Sequence, residues 1–238
     1  MKKTATGTTM IIPDLHEPSS RKGALPFCRD LRRRLKPDKI VFIGDVVDWH
    51  SLSFHAHHPE MPGPNDEFKL ALPLVKKWHQ AFPEATVILG NHDRRVIRVA
   101  EAAGIPGRFI RDYADTWETP GWDWVKDYLD KENEILYMHG DEGGGSMYPA
   151  YNMVRKYGMS VVMGHHHTCA GFKPLVNPIR RMFGLDVGCL IDDKAMAFAY
   201  SNKQVTRSVL GAAWIRDGQP HFEFLPCGPG EEYHDSRF

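Results

Sequence analysis

The chain lacks most of what would send it to a membrane or out of a reducing compartment. It holds no uninterrupted apolar run of the roughly 18 residues that a spanning helix needs. Met1 to Thr9 contain two lysines and then small polar residues, without the apolar stretch of a secretory signal. Cysteine is scarce. Cys28, Cys169, Cys189 and Cys227 are widely spaced with no Cys-x-x-Cys pair, which argues for free thiols over disulfides. Net charge is absent as well: 30 Lys+Arg balance 30 Asp+Glu, so no global field draws the chain to nucleic acid or an anionic bilayer. A local basic patch is still open. There is no repeat of fixed period and no low-complexity segment. The expectation is a cytoplasmic protein with no membrane contact and no assigned oligomeric state.

What is present fits one domain. At 238 residues, 42% hydrophobic and 25% charged, the chain can bury a large core and still carry insertions. The reading is a single domain over residues 1–225, with cap insertions at about 49–65 and 104–130, then a flexible Gly/Pro/charge-rich tail at 226–238. Apolar runs at Met10–Ile12, Ile40–Ile43, Thr86–Leu89, Glu134–Met138 and Ser160–Met163 read as short buried β-strands. Helical spacing is expected over 21–36 (closed by Pro37), over 66–82 with a kink or break at Pro73, from Arg94 to Ala103, and over about 148–157. Strand, helix, strand at the start is a βαβ unit, which implies parallel pairing and a right-handed crossover. In 104–130, Tyr113, Trp117, Trp122, Trp124 and Tyr128 interleave with acids and read as an inserted cap of short helices and loops. Apolar stretches at 185–191, 195–200, 208–215 and 221–225, with turns at Asn177-Pro178, Asp192-Asp193 and Asp217-Gly218, suggest an antiparallel second sheet over 168–225. The fold class is α/β.

Thirteen histidines stand out, and where they fall matters more than their number. The run Thr86–Leu89 stops at Gly90 and continues as Asn91-His92-Asp93, polar groups at the carboxyl end of a strand, where α/β sheets bind ligands. Taken alone this is as well read as an Asn-rich turn with a surface histidine. Four more strand ends repeat the arrangement, presenting Asp14/His16, Asp45/Asp48, His139 and His165/His167. Asp14 and His16, two apart, lie on one side of an extended backbone. Carboxylates, imidazoles and one amide suit borderline divalent ions such as Mn, Fe, Co, Ni or Zn. Asp14, His16, Asp45, Asn91, His139, His165 and His167 are too many donors for one ion. Two ions about 3.5–4 Å apart, sharing a bridging carboxylate, use them naturally.

The ordered blocks Asp14-x-His16, Gly44-Asp45-x-x-Asp48, Gly90-Asn91-His92-Asp93, His139-Gly140 and Gly164-His165-x-His167 resemble the signature of calcineurin-like metallophosphoesterases. That resemblance implies two facing mixed β-sheets flanked by α-helices. It places Asp14, His16 and His167 on a first ion, Asp45 as the bridge, and Asn91, His139 and His165 on a second. It makes His92 the acid that meets the leaving oxygen and Asp48 the residue that orients it. The implied activity is hydrolysis of a phosphomonoester or phosphodiester, a nucleotide among the candidates, by a hydroxide bridging two divalent ions, manganese first among them. One position departs: several branches have an Arg after the second Asp to grip phosphate, and here it is Trp49. The nearest substitutes are Arg94 and Arg95, which join Asn91 as candidate substrate contacts.

Each feature also has a plainer reading. His166 lies between two candidate ligands and reads as a loop residue; His50, His55, His57 and His58 read as a solvated loop before a substrate contact. The aromatic insert 113–128 is a packed cap rather than a base-stacking platform, since acids and not bases accompany it. The run Arg29–Lys39 is a solvated helix face, with phosphate tracking as the minority reading. Three functions follow: a phosphoesterase acting on a small phosphorylated substrate, a metal-dependent DNA nuclease, and a non-catalytic scaffold on the same fold. Nucleic acid is not the favoured partner.

Overall fold

The computed structural model describes residues 7–54, 60–143, 145, 147–192 and 207–226. His55, His57 and His58, the apolar stretch 195–200, and Cys227 with the remainder of the tail lie outside the described residues. Among the described residues, eleven strands and five α-helices follow in the order β1 (Thr8–Ile12), α1 (Ala24–Leu35), β2 (Lys39–Phe42), α2 (Pro64–Ala81), β3 (Ala85–Ile88), α3 (Arg95–Ala102), α4 (Tyr113–Trp117), β4 (Trp122–Val125), β5 (Asp127–Asp130), β6 (Ile135–Met138), α5 (Pro149–Tyr157), β7 (Ser160–Met163), β8 (Ala170–Val176), β9 (Arg181–Val187), β10 (Gly211–Arg216) and β11 (Gln219–Phe224).

They form a six-stranded sheet, β11-β10-β1-β2-β3-β4, and a five-stranded sheet, β5-β6-β7-β9-β8. Each mixes parallel and antiparallel neighbours: β1 is parallel to β2 and antiparallel to β10, while β9 is parallel to β7 and antiparallel to β8. The unbroken apolar runs have a direct cause, because both faces of these strands are covered. Along β1, Ile11 faces the other sheet, where with Val41, Ile43 and Ile88 it meets Tyr137, Val162, Leu185 and Val187. Its neighbours Met10 and Ile12 face the opposite way, into a layer shared with Leu31 of α1, Val75 and Trp78 of α2, and Phe42. On the far side of the second sheet, α5 sets Met153 and Val154 against Val161, Met163 and Met182. Truncating a fully buried residue such as Ile11 to Ala in so tight a layer costs about 2–5 kcal/mol.

α1 buries Ala24, Cys28, Leu31 and Leu35, one seam of an amphipathic helix, and ends at Lys36 in the left-handed region just before Pro37. α2 runs on through Pro73 rather than stopping there, starting from a proline in its first turn.

Two expectations need correction. Only the first half of 104–130 has the character of a cap: β4 extends the first sheet beside β3, and β5 opens the second beside β6. Trp117 and Trp122 are buried in the main core, so the aromatics of this insert are structural fill. The segment 168–225 is not one antiparallel sheet either. Its hairpin β8–β9 completes the second sheet, while β10–β11 returns to the first and pairs with β1.

Candidate metal centre

The parallel strands β1, β2 and β3 of one sheet, and β6 and β7 of the other, end at the same side of the molecule, and their following turns converge. The turns are tight. His16, Asp45, Trp49 and His165 all take positive φ (52°, 48°, 47° and 66°), a backbone conformation that non-glycine residues adopt rarely and that clusters at functional sites. The glycines of the recurring blocks are required by contact. A methyl group on Gly90 would overlap the Asp45 carboxylate, and one on Gly164 would overlap Asp14 Oδ1. One on Gly44 would reach within 2.5 Å of His139 Nδ1.

The side chains fall into overlapping groups. Asp14, His16 and His167 bring their donor atoms within 4.8 Å of one another, as do Asp45, His139 and His165. Asn91 joins the second group, its Oδ1 standing 3.0 Å from both His139 Nε2 and His165 Nδ1. Asp45 Oδ2 lies between the groups, 3.4 Å from His16 Nε2 and 3.2 Å from His139 Nε2. His139 gives its other nitrogen to the Ile43 carbonyl at 3.0 Å, and His16 gives its Nδ1 to Asp48 Oδ1 at 3.0 Å. Such outer contacts fix which nitrogen of a metal-binding imidazole is available.

Burying Asp14, Asp45 and Asp48 together makes an anionic focus, and the imidazoles answer it. Burial pulls the His16 imidazole down, but the hydrogen bonds it gives to Asp45 and Asp48 outweigh it and raise the pKa to about 10. His139 is likewise pulled down by burial yet carried up to about 10 by the Asp45 charge and hydrogen bond. His165, facing an amide rather than a carboxylate, goes down to about 4 through burial and the neighbouring His139. Burial, then repulsion from Asp45, pushes Asp93 up to about 7.

A third group, His16, Asp45 and His92, is present among the described residues. His92 has close partners of its own beside that group. Its Nδ1 lies 2.8 Å from both the Asp48 carbonyl and Asp48 Oδ1, and its Nε2 lies 2.9 Å from Arg95 Nη2. Asp48 Oδ1 contacts the rings of both His92 and His16. The two arginines differ. Arg94 is tied to Asp141 at 2.5 Å and to the Gly90 carbonyl at 3.2 Å, a link between the β3 and β6 turns. Arg95 is buried and touches His92 directly.

Three residues escaped the sequence reading. Asp93 is fully buried and accepts from the Val47 and Gly90 amides, at 3.1 and 2.8 Å, so it fastens the β2 turn to the β3 turn. It stood within the quoted block, and its place directly after a buried strand was the available signal. Glu67, in the first turn of α2, accepts from the His50 amide at 2.7 Å and the Ser51 amide at 3.0 Å. Glu17 accepts from Trp78 Nε1 at 2.7 Å. Neither glutamate carried a local signal. His166 is half-buried with its ring against His165. His50 lies in a short 3-10 turn over His50–Leu52, and Trp49, at the departing position, is buried against Phe68 and Trp117.

The donor set fits divalent cations. Asp14 Oδ1 is buried with no hydrogen-bond partner among the described residues, a costly state for a carboxylate unless an ion uses it. The glycines that would otherwise crowd Asp14, Asp45 and His139 hold the space around the same atoms open. Carboxylate, imidazole and amide oxygen are the ligands that manganese, iron, cobalt, nickel and zinc share.

A sequence model described as calcineurin-like phosphoesterase matches residues 7–169. Comparison with curated proteins gives no match. Among solved structures, vacuolar protein sorting 29 from Cryptosporidium parvum aligns with 13% identity and TM-score 0.45, covering 93% of this chain and 98% of that one. Yfce, a phosphoesterase from E. coli, aligns with 14% identity and TM-score 0.44, over 92% of this chain and 100% of the other. A Pseudomonas putida nuclease MPE aligns with 12% identity and TM-score 0.36, over 90% and 86%.

Proposed function

This chain belongs to the calcineurin-like phosphoesterase family, and on that premise we propose that it hydrolyses a small phosphomonoester or phosphodiester with two divalent cations. Asp14, His16 and His167 would hold one, Asn91, His139 and His165 the other, and Asp45 both. Bound there, the cations, manganese first among the candidates, supply neutralisation of phosphoryl oxygens and a water acidic enough to ionise near neutral pH. The chain's own residues do the rest. Asp48 accepts from His16 and fixes that ring's direction. Asp93 and Arg94 fasten neighbouring turns so that the donors keep their spacing. Arg95 places a buried positive charge beside His92, where residue 49 cannot supply one. With a water as nucleophile, no covalent enzyme intermediate is expected.

The observation that carries this reading is Asp45, whose one oxygen lies within 3.4 Å of a nitrogen from each group. A scaffold has no need of a buried carboxylate shared between two donor sets. The nuclease alternative relied on the basic helix. α1 crosses back from the carboxyl end of β1, so Arg32, Arg33 and Arg34 lie in its last turn, at the end of the sheet away from the centre. Arg34 is paired there with Asp30 and Glu223, and Arg32 donates to the Ala81 carbonyl.

The test is elemental analysis of protein loaded with manganese, beside hydrolysis of bis-p-nitrophenyl phosphate and p-nitrophenyl phosphate with and without chelator. The expected result is about two ions per chain and chelator-sensitive turnover. Metal uptake with no hydrolysis of either ester favours the scaffold. Salt-sensitive cleavage of linear DNA that outpaces both small esters favours the nuclease.

A further inference from the structure

At the end of the sheet away from the metal centre, α1 carries a row of cations. Arg29, Arg32 and Arg33 stand at i, i+3 and i+4 on one face of the helix, and Lys36 follows at its C-terminal cap. All four are exposed. With Pro37 and with Gln80 and Ala81 from the end of α2, they line an open groove of about 750 Å³. Asp30 is the one acid among the described lining residues, so four cations face a single carboxylate in a chain whose charges otherwise balance at 30 and 30.

Part of this charge is explained by the fold. Arg32 donates to the Ala81 carbonyl and lies over the Phe82 ring. Arg33 pairs with Asp30 at 2.6 Å, and Arg34, outside the groove, takes the other oxygen of the same carboxylate at 2.7 Å. The carbonyl end of α1 favours cations in its last turn, which holds Arg32 and Arg33. Arg29 lies a turn earlier, where that field has faded. Neither Arg29 nor Lys36 meets a carboxylate among the described residues. Arg29 also repels Arg32 and Arg33, since like charges three and four apart weaken a helix. A bound anion would turn this repulsion into attraction.

The shape of the positive surface narrows the anion. Guanidinium and ammonium groups converging without an acid partner suit phosphoryl oxygens. From Arg29 to Lys36 the row spans only about 10 Å of helix axis. The adjoining furrow, which shares Arg32 and Pro37, carries Asp38 and Glu84, and Lys39 there is tied to Asp130 at 3.4 Å. A nucleic-acid strand following its phosphates past Pro37 would run into those two carboxylates. No aromatic side chain among the described lining residues offers a face for a base, because Phe82 is buried beneath Arg32.

We infer that this groove is a second anion site, separate from the metal centre, which binds a compact chain of linked phosphates through Arg29, Arg32, Arg33 and Lys36. It grips the phosphates and makes no use of what they are attached to, so free tripolyphosphate and the triphosphate of a nucleotide share the chemistry it recognises.

Calorimetric titration of the metal-free full chain with inorganic tripolyphosphate decides it, and stands whether or not the centre hydrolyses esters. The expected result is one site per chain that weakens as salt rises. Arg29→Glu combined with Lys36→Glu should weaken binding by about tenfold or more. Arg29→Gln alone, which leaves every ion pair of α1 in place, should weaken it in the same direction and serves if the double variant does not fold. Arg34→Ala, outside the groove, and Asp45→Asn, in the metal centre, should bind as wild type does. ATP and tripolyphosphate of equal affinity assign the site to phosphate chains of either source; ATP tighter by about tenfold or more assigns it to nucleotides, and both outcomes support a polyphosphate site. No binding, binding unchanged in the groove variants, or sulfate bound as tightly as tripolyphosphate overturns the inference. So does affinity for single-stranded DNA that exceeds that for tripolyphosphate and grows with strand length, which would make the groove a nucleic-acid surface.

Discussion

The six-stranded sheet delivers Asp14, His16, Asp45, Asp48, Asn91 and His92 to the centre, whereas the five-stranded sheet delivers His139, His165 and His167. All the negative charge comes from one side and only imidazoles from the other. The imidazoles show how far that charge reaches. His139, 3.2 Å from Asp45, is raised to about 10, while His165, facing Asn91, is lowered to about 4. Residue type, sheet and the Asn91 contact at 3.0 Å are the same; the Asp45 carboxylate beside His139 raises one, and burial with the His139 charge lowers the other. Asp45 is thus the group on which the two halves depend.

The sharpest way to break this asymmetry is Asp45→Asn. Losing the shared carboxylate should reduce bound manganese at both positions and lower turnover by at least about 100-fold. His165→Gln should instead lose one ion and keep the other. Equal stoichiometry in the two variants, by elemental analysis, would show that Asp45 is not shared.

Chelation comes next in size. An ion held by donors from both sheets binds the folded chain alone, and at a hundredfold excess over Kd it adds about 2.7 kcal/mol. The melting temperature should rise by roughly 5–10 °C on loading. An unchanged melting curve in protein shown to contain metal would mean that the ion does not join the sheets.

The third outcome concerns pH. The folded-state pKa values of His16 and His139, about 10, exceed the ordinary imidazole value. Their protonation stabilises the metal-free fold fully below about pH 6.5, and that contribution is lost as pH rises toward 10. Metal competes with the same protons, so manganese affinity should increase over this window and binding should release protons. Calorimetry in buffers of different ionisation enthalpy measures the release. Affinity independent of pH between 6.5 and 9 would contradict it.

Smaller still is Gly90→Ala, which presses a methyl group on Asp45 and should cost about 1–3 kcal/mol with weaker metal binding. Gly63→Ala is the control, since nothing lies within 4 Å of that position. At the far end of the molecule, Arg34→Ala removes only solvated ion pairs to Asp30 and Glu223, and no resolvable change in melting or turnover is expected.

Much of this centre is legible in the chain because the same local event recurs. A strand buried on both faces runs out at a glycine, and the ligands follow within a few residues. What local sequence cannot express is which distant strand comes alongside. Asp217-Gly218 reads as a hairpin turn and is one, yet nothing in residues 211–224 indicates that Ile215 pairs with Thr9. The insert misleads for another reason. Trp122-Asp123-Trp124 alternates as an edge strand should, with Trp122 buried and Asp123 exposed, but surrounding acids and short-range turns make it look like a cap. Arg95 could be nominated from its distance to His92, but its grip on the Asp48 and Trp49 carbonyls depends on a turn folded 46 residues earlier.

Between β4, which ends at Val125, and β5, which begins at Asp127, there is only Lys126. One residue spans about 3.5 Å of extended chain, so the polypeptide passes from sheet to sheet with no slack. Any parting of the two layers would leave them joined at this edge.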